Sequence, residues 1–148
     1  MASKTEHHKR SPCPVACGLD IIGDHWTLLV VRDMLFLGRH EYGQMLEAPE
    51  GISSNILSDR LSKLQKQGLV GQITHPENRK KKLYYLTAKG KGLIHVLMAI
   101  TSWSKQYMGS QVKLPTDLLA EMNRGPDHFI EQTLERLRQW EVQYQIHS

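Results

Sequence analysis

The sequence predicts a mainly α-helical chain of 148 residues with one small β-hairpin, and three observations support this fold class. Apolar residues recur every three or four positions in several segments, which is the period of a helix with one buried face. Two short strand-like segments, Val70–His75 and Lys82–Leu86, flank a polar loop that begins with Pro76. Hydrophobic residues make up 40% of the chain, which is enough to form a core, whereas two cysteines are too few for a disulfide framework.

Charge is distributed unevenly along the chain. Residues 1–109 contain 15 Lys and Arg against 9 Asp and Glu, whereas residues 110–148 contain 4 against 6. The positive field therefore belongs to the part with the hairpin, as expected for a protein that binds a polyanion. No signal peptide is visible, and the most apolar segment, Leu28–Leu37, is interrupted by charges and too short to span a bilayer. We therefore expect a cytoplasmic protein with no membrane partner.

The N-terminal part is predicted to contain an arm and one long helix. Residues 1–11 lack apolar periodicity and are assigned to a flexible arm. Its cluster His7–Arg10 is either a solvated tail or a contact to a phosphate backbone. Pro14 suits the first position of a helix, and the pattern over Val15–Leu37 predicts one buried helix that ends at Gly38.

A helix–turn–helix is predicted next. A short second helix covers Tyr42–Ala48, and Pro49–Gly51 forms a turn. Ser53 is well placed as the N-cap of a third helix that ends at Gly68 and has one apolar face. The residues of this third helix that we predict to contact a ligand are Ser53, Ser54, Asn55, Ser58, Asp59, Ser62 and Lys63.

The predicted hairpin completes the pattern. Tyr84 and Leu86 should share one face of its second strand, and Leu83 and Tyr85 the other. Its loop, Pro76–Lys81, brings a cluster of cations to the tip. These cations are Arg79, Lys80, Lys81 and Lys82. A helix–turn–helix followed by a basic hairpin is a winged helix-turn-helix, which is the fold that we predict.

Two further helical regions follow the hairpin. Thr87 should cap a helix with a long apolar stripe, and this helix ends the winged helix-turn-helix domain, residues 12–109. Residues 110–148 are assigned to a C-terminal helical extension, with a short helix at Asp117–Asn123 and a break at Gly125–Pro126 before a last helix.

The last helix has an apolar stripe that needs a partner, because such a side chain gains about 1.5–3 kcal/mol on full burial. Candidate partners are the first helix and the stripe over Leu93–Tyr107, in the same subunit or in another. We expect the N- and C-terminal helices to form the interface of a homodimer. The residues assigned to that interface are Trp26, Leu97, Trp103, Leu137 and Trp140.

The polar face of the third helix has two interpretations. It is either an ordinary solvated face or a surface that reads double-stranded DNA. Near its N-terminus it carries short hydrogen-bonding groups that can approach base edges, and Asn55 suits a bidentate contact to adenine. Because a basic hairpin follows at the right distance, we favour DNA reading.

The cations of the hairpin are also open to two interpretations, since charges in a loop are usually only solvated. Adjacent cations repel one another by roughly a few tenths of a kcal/mol per pair in water, so the chain gains little from the cluster unless a polyanion lies against it. We predict that the hairpin contacts phosphates, with Arg79 or Lys81 as the candidate for the minor groove.

Several short motifs give the chain a family resemblance over Cys13–Gly109. They are Cys13–Val15, Leu19–Trp26 with Leu29, Arg32 and Gly38, then Gly51–Ser53, Leu57–Leu61, Leu64, Gly68–Val70, Tyr84–Thr87 and Gly90. Together they resemble the HxlR-type winged-helix transcriptional regulators, relatives of the multiple-antibiotic-resistance (MarR) regulators. The resemblance implies a homodimer that binds a palindromic operator and uses its first and last helices as the interface.

Three positions depart from the family pattern. His25 stands where the family commonly has Lys, and Glu41 where a phosphate-facing Arg is frequent. The tip Arg79–Lys81 replaces a sequence that resembles Pro-Pro-Arg. Glu41 therefore puts a backbone contact near the second helix in doubt, and the extra cations at the tip could compensate for it.

Cys13 is a candidate sensor of oxidants or electrophiles. A thiolate at the N-terminus of a helix, close in sequence to Lys9 and Arg10, is favoured over the thiol, and in the family the equivalent Cys is often such a sensor. The alternative is a half-buried structural thiol. Cys17 is expected to face the core.

Metal binding and catalysis have little support in the sequence. The Cys and His residues match no structural zinc spacing, and no hydrolase motif or phosphate-binding glycine loop is present. We predict a sequence-specific DNA-binding regulator that is not an enzyme and holds no cofactor or metal. The alternatives are a regulator controlled by a small-molecule effector, a winged helix used only for protein interactions, and a small thiol-dependent enzyme.

Overall fold

The computed structural model describes residues 11–148, within which eight α-helices and one two-stranded antiparallel sheet are present. The arm predicted for residues 1–11 lies almost entirely outside the described residues, as does the cluster His7–Arg10. The mainly α fold with a small hairpin is confirmed.

The single first helix predicted over Val15–Leu37 is wrong. The chain forms α1, Pro14–Ile22, and α2, Thr27–Phe36, which are bent by 78° at the break between them. Asp24 causes the restart: its Oδ1 accepts hydrogen bonds from the backbone N–H groups of Trp26 and Thr27, at 2.8 and 3.0 Å. The apolar period continues across the break, so periodicity alone could not reveal it.

The helix–turn–helix lies where the sequence predicted it. The second helix, α3, covers Tyr42–Leu46 and is two residues shorter than expected, and α4 covers Ser54–Lys66. The Ser53 hydroxyl accepts a hydrogen bond from the Ile56 N–H at 3.2 Å, which confirms the predicted N-cap. The apolar face of α4 is buried through Leu57, Leu61 and Leu64.

The hairpin is longer than predicted. Strand β1 covers Val70–His75, but β2 covers Asn78–Leu86 and begins four residues earlier than expected. The cations at 79–82 therefore belong to a strand, and only Pro76 and Glu77 form the turn. Asn78 pairs with His75 and Lys82 with Thr74, so Arg79, Lys80 and Lys81 lie in a register shift between these two pairs. Their long cationic side chains stay in solvent there. We call residues 70–86 the wing.

Both faces of the base of the wing are covered. The register pairs Val70 with Leu86 on one face and Ile73 with Leu83 on the other, as the predicted alternation requires. Leu86 and Leu83 are both fully buried. Gly71 lies directly against the Tyr85 ring, and any Cβ at this position would overlap that ring.

After the wing, the predicted long helix is divided into α5, Ala88–Lys91, and α6, Ile94–Met108. Thr87 caps α5 as expected, since its hydroxyl accepts from the Gly90 N–H and donates to the Gly68 carbonyl at 2.6 Å. The extension contains a 3₁₀ turn, Gly109–Gln111, then α7, Thr116–Asn123, and α8, Pro126–Gln143.

The last helix, α8, finds its partner in the same chain. Phe129, Thr133 and Leu137 are buried, and the Phe129 ring lies 5.4 Å from that of Phe36 in α2. The core formed by α2, α3, α4, the wing and α6 thus includes Leu137 of the extension. Removing the extension would open this core.

Apolar side chains of α1 and of α6 remain uncovered. The most exposed of these large apolar side chains are Val15 and Leu19 of α1 and Ile100, Trp103 and Tyr107 of α6. Trp103 is 57% exposed and Tyr107 66% exposed, although both are large apolar side chains. We call these five residues the α1/α6 surface.

No single helix among residues 11–148 is long and apolar enough to cross a bilayer. By length and composition alone, α1 and α2 pass that test as a bent pair.

Candidate nucleic-acid interface

The outer face of α4 is exposed along its whole length. All seven residues predicted to contact a ligand from this helix are solvent-exposed: Ser53, Ser54, Asn55, Ser58, Asp59, Ser62 and Lys63. Asn55, Asp59 and Ser62 project from the side opposite the buried leucines, as the helical period requires, whereas Ser53 and Ser54 lie at the N-terminus of the helix. A partner in contact with α4 would therefore meet short polar groups near its N-terminus.

An ion pair fixes α4 against the corner between α1 and α2. The Arg60 guanidinium donates to Asp24 Oδ1 at 2.8 Å. Although burial opposes the charged form of Asp24, hydrogen bonds from Thr27, Arg60 and two backbone N–H groups lower its pKa to about 2. The Asp24 carboxylate thus starts α2 and holds α4 at the same time.

A second ion-pair network fixes the turn before α4. Arg32 of α2 makes a bidentate contact to Glu50, at 2.8 and 2.9 Å, and also pairs with the buried Asp33. The hydrogen bond from Arg32 lowers the pKa of the Glu50 carboxyl. Arg39 adds a third contact to Asp33 at 3.0 Å. The position of the turn, and with it the start of α4, is therefore set by α2.

Tyr42 is a candidate functional residue that the sequence analysis did not identify. Its hydroxyl lies 2.9 Å from the Ser54 carbonyl oxygen and 3.0 Å from the Ser58 Oγ. The hydroxyl of Ser58 is therefore oriented by a neighbouring helix. The only signal in the sequence was that a half-buried tyrosine needs a partner for its O–H group.

Asp59 has cationic neighbours of its own on α4. Its carboxylate pairs with Arg60 and, at 3.4 Å, with Lys63. An unpaired carboxylate would repel a phosphate backbone, and these two cations reduce that repulsion.

The four cations of the wing, Arg79–Lys82, are all exposed. Lys81 pairs at 3.2 Å with Glu41, the N-cap residue of α3. Arg79, Lys80 and Lys82 have no ion-pair partner within residues 11–148. An open groove of about 400 Å³ separates the wing from the start of α3. The groove is lined by Glu41, Tyr42, Gly43, Lys80, Lys81, Lys82 and Tyr84.

Cys13 is exposed and occupies the predicted N-cap of α1, without a hydrogen bond from its side chain to the helix. Cys17 is half-buried, and its Sγ lies 3.5 Å from the Ser11 carbonyl oxygen. Lys9 and Arg10, the cations expected beside Cys13, lie outside the described residues. Within residues 11–148, no group of three or more His, Cys, Asp or Glu side chains could hold a metal ion.

The five residues assigned to a dimer interface have different environments. Leu97 and Leu137 are buried inside the chain, and the Trp140 ring stacks on His40. Trp26 is half-buried against the core, whereas Trp103 belongs to the α1/α6 surface. Of the five, Trp103 offers the most apolar surface to a second subunit.

The fold and this interface define a helix-turn-helix transcriptional regulator with a wing. Residues 21–112 match the HxlR-like helix-turn-helix family, and the chain belongs to that family. The matched segment includes α4 and the wing but begins after Cys13, whereas the resemblance was predicted from Cys13 to Gly109.

Known proteins with similar sequences or structures agree with this assignment. An HTH-type transcriptional regulator of Synechocystis is 34% identical over 98 residues, which cover 64% of this chain and 72% of the relative. The solved structure of PA1607 has a TM-score of 0.64 at 35% identity and covers 74% of this chain and 75% of its own. The reduced form of the regulator YodB from Bacillus subtilis has a TM-score of 0.54 at 25% identity, and the match covers 68% of this chain and 98% of the YodB chain. Since the family and these relatives are regulators, the prediction that the chain is not an enzyme is confirmed.

Proposed function

We propose that the protein binds a specific, near-palindromic DNA operator as a homodimer, with α4 in the major groove and the wing against the backbone. The observation that carries this proposal is the arrangement of α4 and the wing. The exposed polar face of α4 offers hydrogen-bonding groups for base edges, and the exposed cations of the wing lie beyond it on the hairpin. Lys80 and Lys82 line the groove beside α3 and have no ion-pair partner within residues 11–148, so they are available to phosphates.

The roles of the two elements differ in this proposal. Asn55 and the neighbouring hydroxyl groups of α4 would select the sequence, because base edges present distinct donor and acceptor patterns in the major groove. The cations at 79–82 would supply affinity that does not depend on sequence, because each neutralised phosphate releases counterions.

The homodimer is supported by the α1/α6 surface. Five large apolar side chains on two helices would cost free energy if they stayed in water, and a second copy can cover them symmetrically. The two α4 helices of such a dimer would lie about 34 Å apart, one turn of DNA. We expect Trp103→Glu to give a monomer in sedimentation experiments and Val142→Glu, on an exposed part of α8, to leave the dimer intact. A dimer of unchanged strength in Trp103→Glu would place the interface elsewhere.

The signal that we propose is oxidation or alkylation of Cys13. Its side chain is exposed at the N-terminus of α1, and Val15 and Leu19 of the α1/α6 surface lie on the same helix. YodB, similar to this chain at 25% identity, is known in a reduced and a quinone-bound form. A modified Cys13 would alter how α1 packs in the dimer and thereby the spacing of the two α4 helices.

A second candidate signal is a small-molecule effector. A cleft of about 330 Å³ lies where α6 meets the extension, lined by Lys105, Gly109, Val112, Lys113, Leu114 and Leu119. Its size and its apolar and cationic lining suit a small organic anion.

One experiment separates these proposals. Duplexes are selected from random DNA with reduced protein and with protein treated with mild peroxide. We expect a palindromic consensus with the reduced protein and a change in affinity after oxidation that Cys13→Ser abolishes and Cys17→Ser retains. If Cys13→Ser responds to peroxide as the wild type does, Cys13 is not the sensor, and control through the cleft becomes the better hypothesis. If no duplex is enriched, the protein does not read a DNA sequence.

A further inference from the structure

The end of α8 lies against the wing, far from the part of α8 that packs on α2. Tyr144 follows the last turn of α8, and its ring contacts that of His75 edge to face, with the centroids 6.0 Å apart. His75 is the last residue of β1 and pairs with Asn78 across the turn. The C-terminal extension therefore touches the wing at its tip.

The side chain of His75 is itself part of the turn. Its Nδ1 accepts a hydrogen bond from the Glu77 N–H at 3.1 Å, so the orientation of the ring depends on the conformation of the turn. The residues that follow on β2 are the cations of the wing. A contact that fixes His75 thus also fixes the start of the cationic strand.

A second aromatic contact joins α8 to the base of the wing. The Trp140 ring stacks on His40, with the centroids 3.6 Å apart and the planes 14° apart. His40 in turn lies beside β2: its carbonyl accepts from the Tyr84 N–H at 2.8 Å, and its Nδ1–H donates to the Tyr84 carbonyl at 2.9 Å. Trp140 and Tyr144 also contact each other, with the ring centroids 5.4 Å apart.

A buried ion pair holds this end of α8 in place. Glu141, only 6% exposed, lies next to Trp140 in the sequence, and its Oε2 is 2.7 Å from the Lys91 ammonium group of α5. Lys91 also donates to the Ser148 hydroxyl at 2.8 Å. Ile146 is buried as well. This end of the chain is therefore firmly packed.

The wing needs such support for two physical reasons. An isolated two-stranded hairpin is at best marginally stable in water and requires packing against other elements. Four adjacent cations on one strand also repel one another, which favours fraying of the tip. The wing is supported up to Lys81 by the buried Val70, Leu83 and Leu86 and by the ion pair of Lys81 with Glu41, whereas the turn after His75 is supported by the contact of His75 with Tyr144.

We propose that the end of α8 is a brace for the wing, with Tyr144 and Trp140 as positioning residues for the contacts of the wing to DNA. The brace lies outside the segment that matches the family, since that segment ends at residue 112. The role in DNA binding rests on the proposed function, whereas the effect of the brace on the wing does not.

The first test needs no DNA. Hydrogen exchange of the backbone amides of residues 74–82 is measured in full-length wild type, Tyr144→Ala and Val142→Ala, an exposed position in the last turn of α8 two residues before Tyr144. We expect faster exchange at the tip of the wing in Tyr144→Ala and wild-type exchange in Val142→Ala, while the amides of α4 stay protected in both. Tyr144→Phe, which keeps the ring, should restore wild-type exchange. Unchanged exchange at the tip in Tyr144→Ala would overturn the brace.

The second test is a pair of double-mutant cycles on DNA affinity. We expect Tyr144→Ala alone to weaken binding about 3- to 10-fold. Combined with Arg79→Ala, the loss should be smaller than the product of the two single losses, because both act through the wing. Combined with Asn55→Ala, the losses should multiply. If the combined loss equals the product of the single losses with Arg79→Ala as well as with Asn55→Ala, Tyr144 does not position the wing. If exchange changes as expected but no variant, nor the wild type, binds DNA, the brace stands and the proposed function fails.

Discussion

The recognition helix α4 and the wing are both exposed, but they are held in different ways. The middle of α4 and the turn before it are both tied to α2 or its start: Arg60 pairs with Asp24, and the bidentate contact between Arg32 and Glu50 fixes the turn. Within residues 11–148, the wing has one ion pair, between Lys81 and Glu41, and it otherwise depends on packing at its base and on the aromatic contacts of α8.

This difference matches the roles that we propose. Reading base edges requires hydrogen-bonding groups within a few tenths of an ångström of their positions, so a rigid helix with an oriented Ser58 hydroxyl is suitable. Contact with a phosphate backbone tolerates more movement, because Coulomb attraction falls slowly with distance.

Asn55→Ala should produce the largest and most selective loss. We expect binding to a selected duplex to weaken by about 1–3 kcal/mol and binding to random DNA to change far less, because only the contact to a base is lost. Titration of both duplexes measures this, with Asn123→Ala on α7 as the control. Equal losses on the two duplexes would mean that α4 does not read bases.

Asp24→Asn should loosen α4 from its support. The pKa of Asp24 falls from 3.8 to about 2 on folding, so its carboxylate contributes stability that is complete above about pH 4 and is lost as the pH falls towards 2. We expect the variant to lose about 1–2 kcal/mol of unfolding free energy at pH 7, since the carboxylate is partly exposed and the full shift is screened. Denaturant unfolding at pH 7 and pH 3 tests this. A difference between variant and wild type that grows towards low pH would contradict the assigned pKa.

Arg79→Ala should weaken selected and random duplexes alike. Loss of one phosphate contact should reduce the slope of log affinity against log salt by about one unit. Arg124→Ala, at the end of α7, removes the same charge away from the wing and is the control. A loss confined to the selected duplex would show that Arg79 reads sequence and would weaken the contrast between the two elements.

Glu41→Gln should have the smallest effect and the opposite sign. Glu41 forms an ion pair with Lys81, which makes the lysine less available to a phosphate. The negative charge of Glu41 also repels a phosphate in the groove beside α3. Glutamine can still accept the hydrogen bond that caps α3, so the helix should remain intact. We expect roughly threefold tighter binding to both duplexes at low salt, an effect that fades as salt screens it. Glu47→Gln, an exposed residue after α3, should bind as the wild type does; weaker binding of Glu41→Gln would instead show that Glu41 positions Lys81.

The sequence predicted those parts of the interface that depend on local patterns. The N-cap Ser53, the buried leucines of α4 and the alternation in β2 each follow from spacing and residue type. The break at Gly23–Asp24 was missed because the apolar period continues across it and hides a local hydrogen-bond pattern. The early start of β2 was missed because charged residues resemble a loop in sequence, although Asn78 and Lys82 on either side of them pair with β1.

Contacts between distant residues could not be predicted at all. Tyr42 meets Ser58, Glu41 meets Lys81, and Trp140 meets His40 only after the chain has folded. No spacing rule connects residues so far apart in sequence, and a single sequence offers no covariation. The stripe on α8 did predict that a partner was needed, but the sequence left open whether that partner lay in the same subunit.

The central claim, that α4 reads sequence while the wing supplies charge, is tested most directly by one titration series. Affinities of the wild type for a selected palindromic duplex and for a random duplex of equal length are measured from low to high salt. We predict that both affinities fall steeply and in parallel, because the cations of the wing act on any duplex, and that the ratio between them stays large because α4 makes the same base contacts throughout. A flat response to salt, or a ratio near one, would contradict the account.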